Sequence, residues 1–320
     1  MVNDKKVSIV IPTLNEEKNI EKLILSLINQ NFEADEIIIS DGGSVDSTIN
    51  VINKLQKIHK KIKLSGRKGS CRGAGRNSAI EYSKNNIVAL IDSGTTADKY
   101  WLENLYSTMN KKNLSIVFGS IKSNYTDVIS RNIANIIYGR NNHNETLSYS
   151  VSSMLIKKDV WKSLGKFPES DNGDYVVEDL RFINSIKKSS IKYEIEKKAF
   201  VFWELPDSFY KIYKRYKEYS IGAVSNNYSE TWHIKVLRNY TILFIMIISI
   251  SYFVGVKENI FLLPLMFLRS NFYLRNKDKY KNRFISMIYD HLFTSLILIL
   301  IDICAIIGIV ESKIKKYFLK

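Results

Sequence analysis

The chain has 320 residues, 45% of them hydrophobic, with four prolines and no internal repeat; this admits one or two domains with substantial cores and excludes long disordered linkers. A net charge of +15 points to anionic partners: phosphates, nucleic acid or an anionic membrane face. Two distant cysteines, Cys71 and Cys304, exclude a disulfide framework and a zinc spacing, and fit a reducing compartment.

The opening MVNDKKVSIVIP enters a strand-like run at once and lacks the pattern of a secretory signal, so the first domain is expected in the cytosol. Strands are predicted at KVSIVIP (6–12), EIIIS (36–40), KIKLS (61–65) and IVALID (87–92). Between them, Ile20, Leu23, Ile24, Leu27 and Ile28 recur at helical spacing, as do Ile49, Ile52 and Leu55, and RNSAIEYSK (76–84) reads as a third helix. Such alternation predicts an α/β domain with a largely parallel sheet covered by helices. Ligands of such sheets sit beyond the carboxyl ends of the strands. Those ends carry PTLNEE, SDGGS and DSG, so Glu16, Asp41 and Asp92 are expected along one edge.

Each polar cluster has two readings at this stage. Thr13, Asn15 and Glu16 suit a helix start, and the same turn can bind a ligand. Asp41, before Gly42, Gly43 and Ser44, suits a tight turn or a carboxylate offered at close backbone approach. GRKGSCRGAGRN (66–77) sets Arg67, Lys68, Arg72 and Arg76 among glycines; it reads as a solvated basic loop or as a diphosphate cradle. Asp98 precedes Tyr100, Trp101, Leu102 and Leu105 and is expected to cap their helix. Glu178 and Asp179 open the helical pattern VVEDLRFINSIKK, where acids favour the macrodipole and where a general base could also sit.

The C-terminal part differs in character. WELPDSFYKIYKRYKEYSIG (203–222) interleaves aromatics with Lys and Arg, as an amphipathic helix at headgroup level does. An apolar hairpin is expected over about 241–268, although its first run spans only about 24 Å of a roughly 30 Å hydrocarbon core. A third apolar segment, 292–310, contains Asp302, an acid that favours an interfacial or re-entrant helix or a buried polar partner. Basic residues after the second and third runs favour a cytosolic, anionic membrane surface. The competing reading is a soluble helical domain with an apolar core.

The order VSIVIPTLNEEKNI, SDGGSVDST, GRNSAI, ALIDSG and VEDLRF resembles the family 2 glycosyltransferases over roughly residues 6–222. The resemblance implies an inverting enzyme of GT-A fold that uses a nucleotide-diphospho-sugar. It implies a GT-A domain over 1–205, amphipathic coupling helices over 206–235 and a membrane-associated helical region over 236–320. It places Thr13, Asn15 and Glu16 against the nucleoside, and gives Asp41, beside Gly43, the role of accepting a uracil N–H. Arg72, Arg76 and Asn77 fall in the stretch that lies against the nucleotide. Asp92, Ser93 and Gly94 stand at the D-x-D motif, whose last acid is the usual metal ligand; Gly94 departs from it. A divalent cation (Mg or Mn) held by Asp92 is therefore weighed against neutralisation by Arg and Lys. Asp179 takes the place of the catalytic base with Glu178 as its orienting neighbour, and Arg215 that of a group stabilising the leaving diphosphate.

The expected function is sugar transfer from a uridine-linked donor to a lipid-linked or polysaccharide acceptor at the cytosolic membrane face, with membrane lipids as partners. The alternative is a catalytically silent membrane-anchored scaffold that binds nucleotide-sugars. Nucleic acid is not an expected partner, because much of the basic excess lies beside apolar runs and no known nucleic-acid module is apparent.

Overall fold

The computed structural model describes residues 6–66, 71–125, 127–138, 145–146, 150–169, 177–225, 249, 252, 269–270, 273–274 and 284–318. The chain divides into two units: Met1–Asn124 with Glu145–Glu204, and Tyr125–Asn144 with Leu205–Lys320.

The first unit begins β1 (Val7–Thr13), α1 (Ile20–Ile28), β2 (Glu36–Asp41), α2 (Thr48–Ile58), β3 (Ile62–Gly66), α3 (Arg72–Tyr82) and β4 (Ile87–Ile91). It continues through β5 (Thr95–Ala97), α4 (Trp101–Lys111) and β6 (Ile116–Asn124). The helix α5 (Val128–Tyr138) belongs to the second unit. The first then resumes with β7 (Glu145–Thr146), β8 (Ser153–Lys157), α6 (Lys158–Ser163), α7 (Glu178–Lys188) and β9 (Tyr193–Glu204). Among the described residues the sheet runs β3-β2-β1-β4-β8-β6-β9-β5, with β7 beside β6. β3, β2, β1 and β4 pair in parallel, as the βα alternation predicts. β8 then enters antiparallel to both β4 and β6, and β6 pairs in parallel with β9.

Period-2 alternation sorts the strand side chains onto two cores. Ile9, Ile11, Ile37, Ile39, Ala89 and Ile91 meet α1, α2 and α4 on one face. Val10, Ile38, Val88 and Leu90 meet residues of α3, α6 and α7 on the other. Both faces being covered, the central strands read as unbroken apolar runs.

The sequence reading places the start of the third helix at residue 76, but α3 begins at Arg72. Glycine lowers helix propensity, so GRKGSCRGAG reads as loop. Here packing overrides propensity, because α3 lies so close to its neighbours that a Cβ at Gly73 would stand 2.1 Å from the Pro168 carbonyl oxygen. Residues 67–70 of that loop and 170–176 before α7 lie outside the described residues.

The second unit contains α5, α8 (Phe209–Ser225) and α9 (Phe284–Phe318). The segment 125–144, assigned from sequence to the first domain, clusters here instead. Its reason is polar: Arg131 pairs with Asp290, Asn132 donates to Asp290 Oδ1 at 3.1 Å, and Thr294 donates to Asn132 Oδ1 at 2.6 Å. The third apolar segment, expected over 292–310, is the middle of the 35-residue α9. Asp302 within it is 2% exposed and pairs bidentately with Arg269, Nη2 to Oδ1 at 3.0 Å. Of the two resolutions open for that acid, a buried polar partner is the one observed.

α8, read as a headgroup-level helix, packs along α9. Phe209 stacks on Phe293 with centroids 6.4 Å apart, Lys217 bonds Glu311 at 2.6 Å, and Ser312 Oγ donates to the Ile221 carbonyl at 3.4 Å. The 241–268 hairpin lies outside the described residues apart from Ser249 and Tyr252.

Candidate active site

Parallel β2, β1 and β4 end side by side, and the chain leaves β1 and β4 toward opposite sides, which opens a crevice at their carboxyl ends. The first turn there is locked across the edge. Asn15 adopts φ 54, a left-handed conformation asparagine tolerates. Its N–H donates to Ser44 Oγ at 2.8 Å, and its Oδ1 accepts from the Val45 N–H at 2.9 Å. The Glu16 N–H donates to Thr48 Oγ1 at 2.8 Å, so the β1–α1 turn also caps against the start of α2. Thr13 is buried and pairs in register with Asp41.

Asp41 closes its own turn. Its Oδ2 accepts from the N–H groups of Gly43 and Ser44 at 2.8 and 2.9 Å, and its Oδ1 accepts from Ser44 Oγ at 2.5 Å. Gly43 has φ 101, which only glycine adopts without strain. A carboxylate offers about four acceptor positions, so capacity for one more donor remains. Asp41 stands in a cleft of about 640 Å³ whose apolar walls are Val45, Ile49 and Leu64. Ser65 completes the wall, and its buried hydroxyl has no hydrogen-bond partner among the described residues. A flat, partly polar ring fits such a slot: apolar faces above and below, hydrogen-bonding groups at the edge.

On the other side of β1, Asp92 follows β4. Arg76, 2% exposed in the second turn of α3, donates Nη2 to Asp92 Oδ1 at 2.7 Å and Nη1 to Glu178 Oε1 at 2.8 Å. One guanidinium thus joins the end of β4 to the start of α7. Ser152 Oγ donates to Asp92 Oδ2 at 2.6 Å. Burial pushes the Asp92 carboxyl up, but the Arg76 charge and these hydrogen bonds outweigh it and hold the group below the usual carboxylate range. For Glu178, 4% exposed, burial wins: its carboxyl is raised despite Arg76, and the neighbouring Asp179 adds to the rise. Asp179 is half-buried, one residue further along the first turn of α7.

The structure therefore brings Thr13, Asn15, Glu16, Asp41, Gly43, Asp92, Ser93, Gly94, Glu178 and Asp179 to one sheet edge. Ser93 Oγ lies 3.4 Å from Glu16 Oε1 and donates to it. Arg72 is exposed at the first position of α3. Asn77 has a different setting: it is 2% exposed, donates to the Phe167 carbonyl at 2.8 Å and to Glu169 at 2.6 Å, and accepts from the Phe167 N–H at 3.0 Å. Its amide ties α3 to the segment ahead of α7. Arg215 lies on α8, in the second unit.

Ser152, Phe167 and Glu169 escape sequence reasoning. Ser152 belongs to no motif; it reaches Asp92 because Ile91 and Ser153 are register partners in the antiparallel β4–β8 ladder. Asp98, expected to cap α4, lies three residues ahead of it: Tyr100 holds the N-cap position, and Asp98 Oδ1 accepts from the Tyr100 N–H at 2.9 Å.

The D-x-G stretch offers a divalent cation few protein ligands. Both oxygens of Asp92 carry short hydrogen bonds, and Gly94 supplies no ligand. No group of three His, Cys, Asp or Glu that could hold a metal occurs among the described residues.

A curled, mostly parallel sheet with its polar residues at the strand ends is the architecture of GT-A glycosyltransferases. The mannosyltransferase PcManGT from Pyrobaculum calidifontis, solved with GDP-Man and Mn2+, superposes with a TM-score of 0.50 at 17% identity, over 67% of this chain and 61% of that one. Residues 8–161 match the family model described as glycosyl transferase family 2. Those residues lie mostly in the first unit. Glycosyltransferase AglE of Haloferax volcanii is 25% identical over 171 residues, 51% of this chain and 56% of that protein. In Methanococcus voltae, the dolichyl N-acetyl-alpha-D-glucosaminyl phosphate 3-beta-D-2,3-diacetamido-2,3-dideoxy-beta-D-glucuronosyltransferase is 30% identical over 140 residues, 41% of this chain and 44% of that protein. The alignments thus span about half the length of these two relatives.

Proposed function

We propose that the protein is an inverting glycosyltransferase that moves a sugar from a uridine-linked nucleotide-diphospho-sugar to a lipid-linked or glycan acceptor at the cytosolic face of a membrane. The base occupies the slot beside Asp41, which accepts its ring N–H. The diphosphate runs along the strand ends toward Asp92, with Arg72 at the start of α3 answering its charge. Asp179 takes the proton from the acceptor hydroxyl as that oxygen attacks the anomeric carbon. The bond to the nucleoside diphosphate breaks in the same displacement. Glu178 is buried against Arg76 and orients the start of α7.

The observation that carries this reading is the Arg76 bridge. It ties the acid at the donor end, Asp92, to the helix turn that bears the base. Membrane association is supported by the inverted pattern of α9. Ile285, Tyr289, Leu292, Leu296, Ile303, Ile306, Val310 and Ile314 are exposed, while Asp290, Thr294, Ser295 and Asp302 are buried. A helix at a water-facing surface shows the opposite order, whereas polar groups turned inward suit lipid. The 30 residues Ile285–Ile314 are long and apolar enough to cross a bilayer. A lipid-linked acceptor agrees with the dolichyl phosphate named for the Methanococcus relative.

The test is Asp179→Asn, assayed with the cognate donor. Turnover should fall at least about a hundredfold, with donor affinity and melting temperature kept. Wild-type turnover in that variant would refute the assignment of the base.

A further inference from the structure

The domain's family leads one to look for a divalent cation between Asp92 and the donor diphosphate, yet the side chains there are arranged for something else. Asp92 is held from two sides by Arg76 and Ser152, and Arg76 is held in turn by Glu178. Arg76 is 2% exposed, so this cation is a fixture of the core and does not exchange with solvent. At position 94, where a second acid would complete the motif, a Cβ would meet only Glu16 Oε1, at 4.0 Å. The glycine is thus not forced by packing, and its backbone lies outside the left-handed region. An aspartate would fit there sterically but would face the Glu16 carboxylate, which a bound cation would have to relieve.

We propose that the first unit binds and uses its donor without a divalent metal: Arg76 permanently answers the Asp92 charge, and Asp92 acts as a fixed hydrogen-bond acceptor for a donor hydroxyl. This rests on the nucleotide-sugar reading above and adds to it the division of charge at the site. Asp92 has acceptor positions beyond the two in use, and its orientation is set before the ligand arrives. The donor's negative charge is met by protein cations alone.

The experiment titrates UDP, with GDP and dTDP in parallel, into the full-length protein by calorimetry, once in excess EDTA and once with Mg2+ or Mn2+. Electron paramagnetic resonance of Mn2+ in the presence of the same nucleotides reports metal binding independently of turnover. The expected result is one nucleotide bound with affinities within about twofold in the two conditions, after correction for chelation of the metal by free nucleotide, and a Mn2+ spectrum unchanged from that of the same nucleotide and Mn2+ without protein. In Gly94→Asp, Mn2+ binding should appear and nucleotide affinity should become metal-dependent by about tenfold or more. Nucleotide binding by the wild type only when metal is present, with Mn2+ bound, would overturn the proposal while leaving the donor reading intact. Binding of no nucleotide in either condition would remove both.

Discussion

Glu36 shows how a single side chain on this sheet can be read apart from catalysis. It sits at the amino end of β2, opposite the site edge, and is 2% exposed. Its Oε1 accepts from Ser8 Oγ and from the Lys84 N–H, each at 2.7 Å, and Lys63 pairs with Oε2. Burial raises its carboxyl, but these bonds and the Lys63 charge outweigh burial and lower it. A depressed folded-state value means the stabilisation is complete above the unfolded carboxylate value. It is lost as pH falls through the folded one. The gap in urea midpoint between wild type and Glu36→Gln should therefore shrink from about pH 7 to about pH 3. A gap that stays constant across that range would show that the ionised form is not what stabilises. At the same scale, Arg76 was legible only as a cation near a nucleotide. Its role as a bridge depends on Glu178, about a hundred residues away in the chain, and on a helix register that glycine content disguised.

Elements were legible where periodicity was strong and failed where tertiary contacts override local preference. The four parallel strands and the helices between them follow from apolar spacing, and their ends fall within a residue or so of expectation. The early start of α3 does not follow, because its first turn is stabilised by burial against Pro168 and α7, not by propensity. α9 was underestimated because Asp302 interrupts its hydropathy; the partner that permits the acid, Arg269, is 33 residues away. Breaking one side of such a pair leaves a buried charge, whereas replacing both can be neutral or stabilising. In detergent or lipid, Arg269→Met, which strands the buried Asp302, should lower the melting temperature clearly, and Arg269→Met with Asp302→Leu should recover most of the loss. Equal damage in the single and double variants would show that the pair is not a unit. The α8–α9 contact has its own signature: a Cβ at Gly308 would stand 1.9 Å from Ser220 Oγ and 2.8 Å from the Ser220 carbonyl carbon. Small residues let such helices approach closely.

At the scale of the molecule, the two units reverse each other's polarity. The first buries Ile, Val and Leu on both faces of a sheet and sets Asp41, Asp92, Glu178 and Asp179 at one edge. The second turns apolar side chains outward along α9 and keeps the acids Asp290 and Asp302 of two ion pairs inside. Composition alone announced a basic protein with apolar runs. It did not announce that 125–144 would leave the first domain for the second, since that depends on hydrogen bonds between α5 and α9. The account's central claim is that the edge holding Asp41, Asp92 and Asp179 seats a nucleotide-sugar. The most direct measurement is a thermal-shift screen of nucleotide-sugars on the wild type, Asp41→Ala and Asp179→Asn, since a cognate donor raises the melting temperature by mass action. A uridine-linked donor should raise it in a concentration-dependent way in the wild type and in Asp179→Asn, and fail to do so in Asp41→Ala. No shift with any donor, or a shift that survives Asp41→Ala unchanged, would contradict the account.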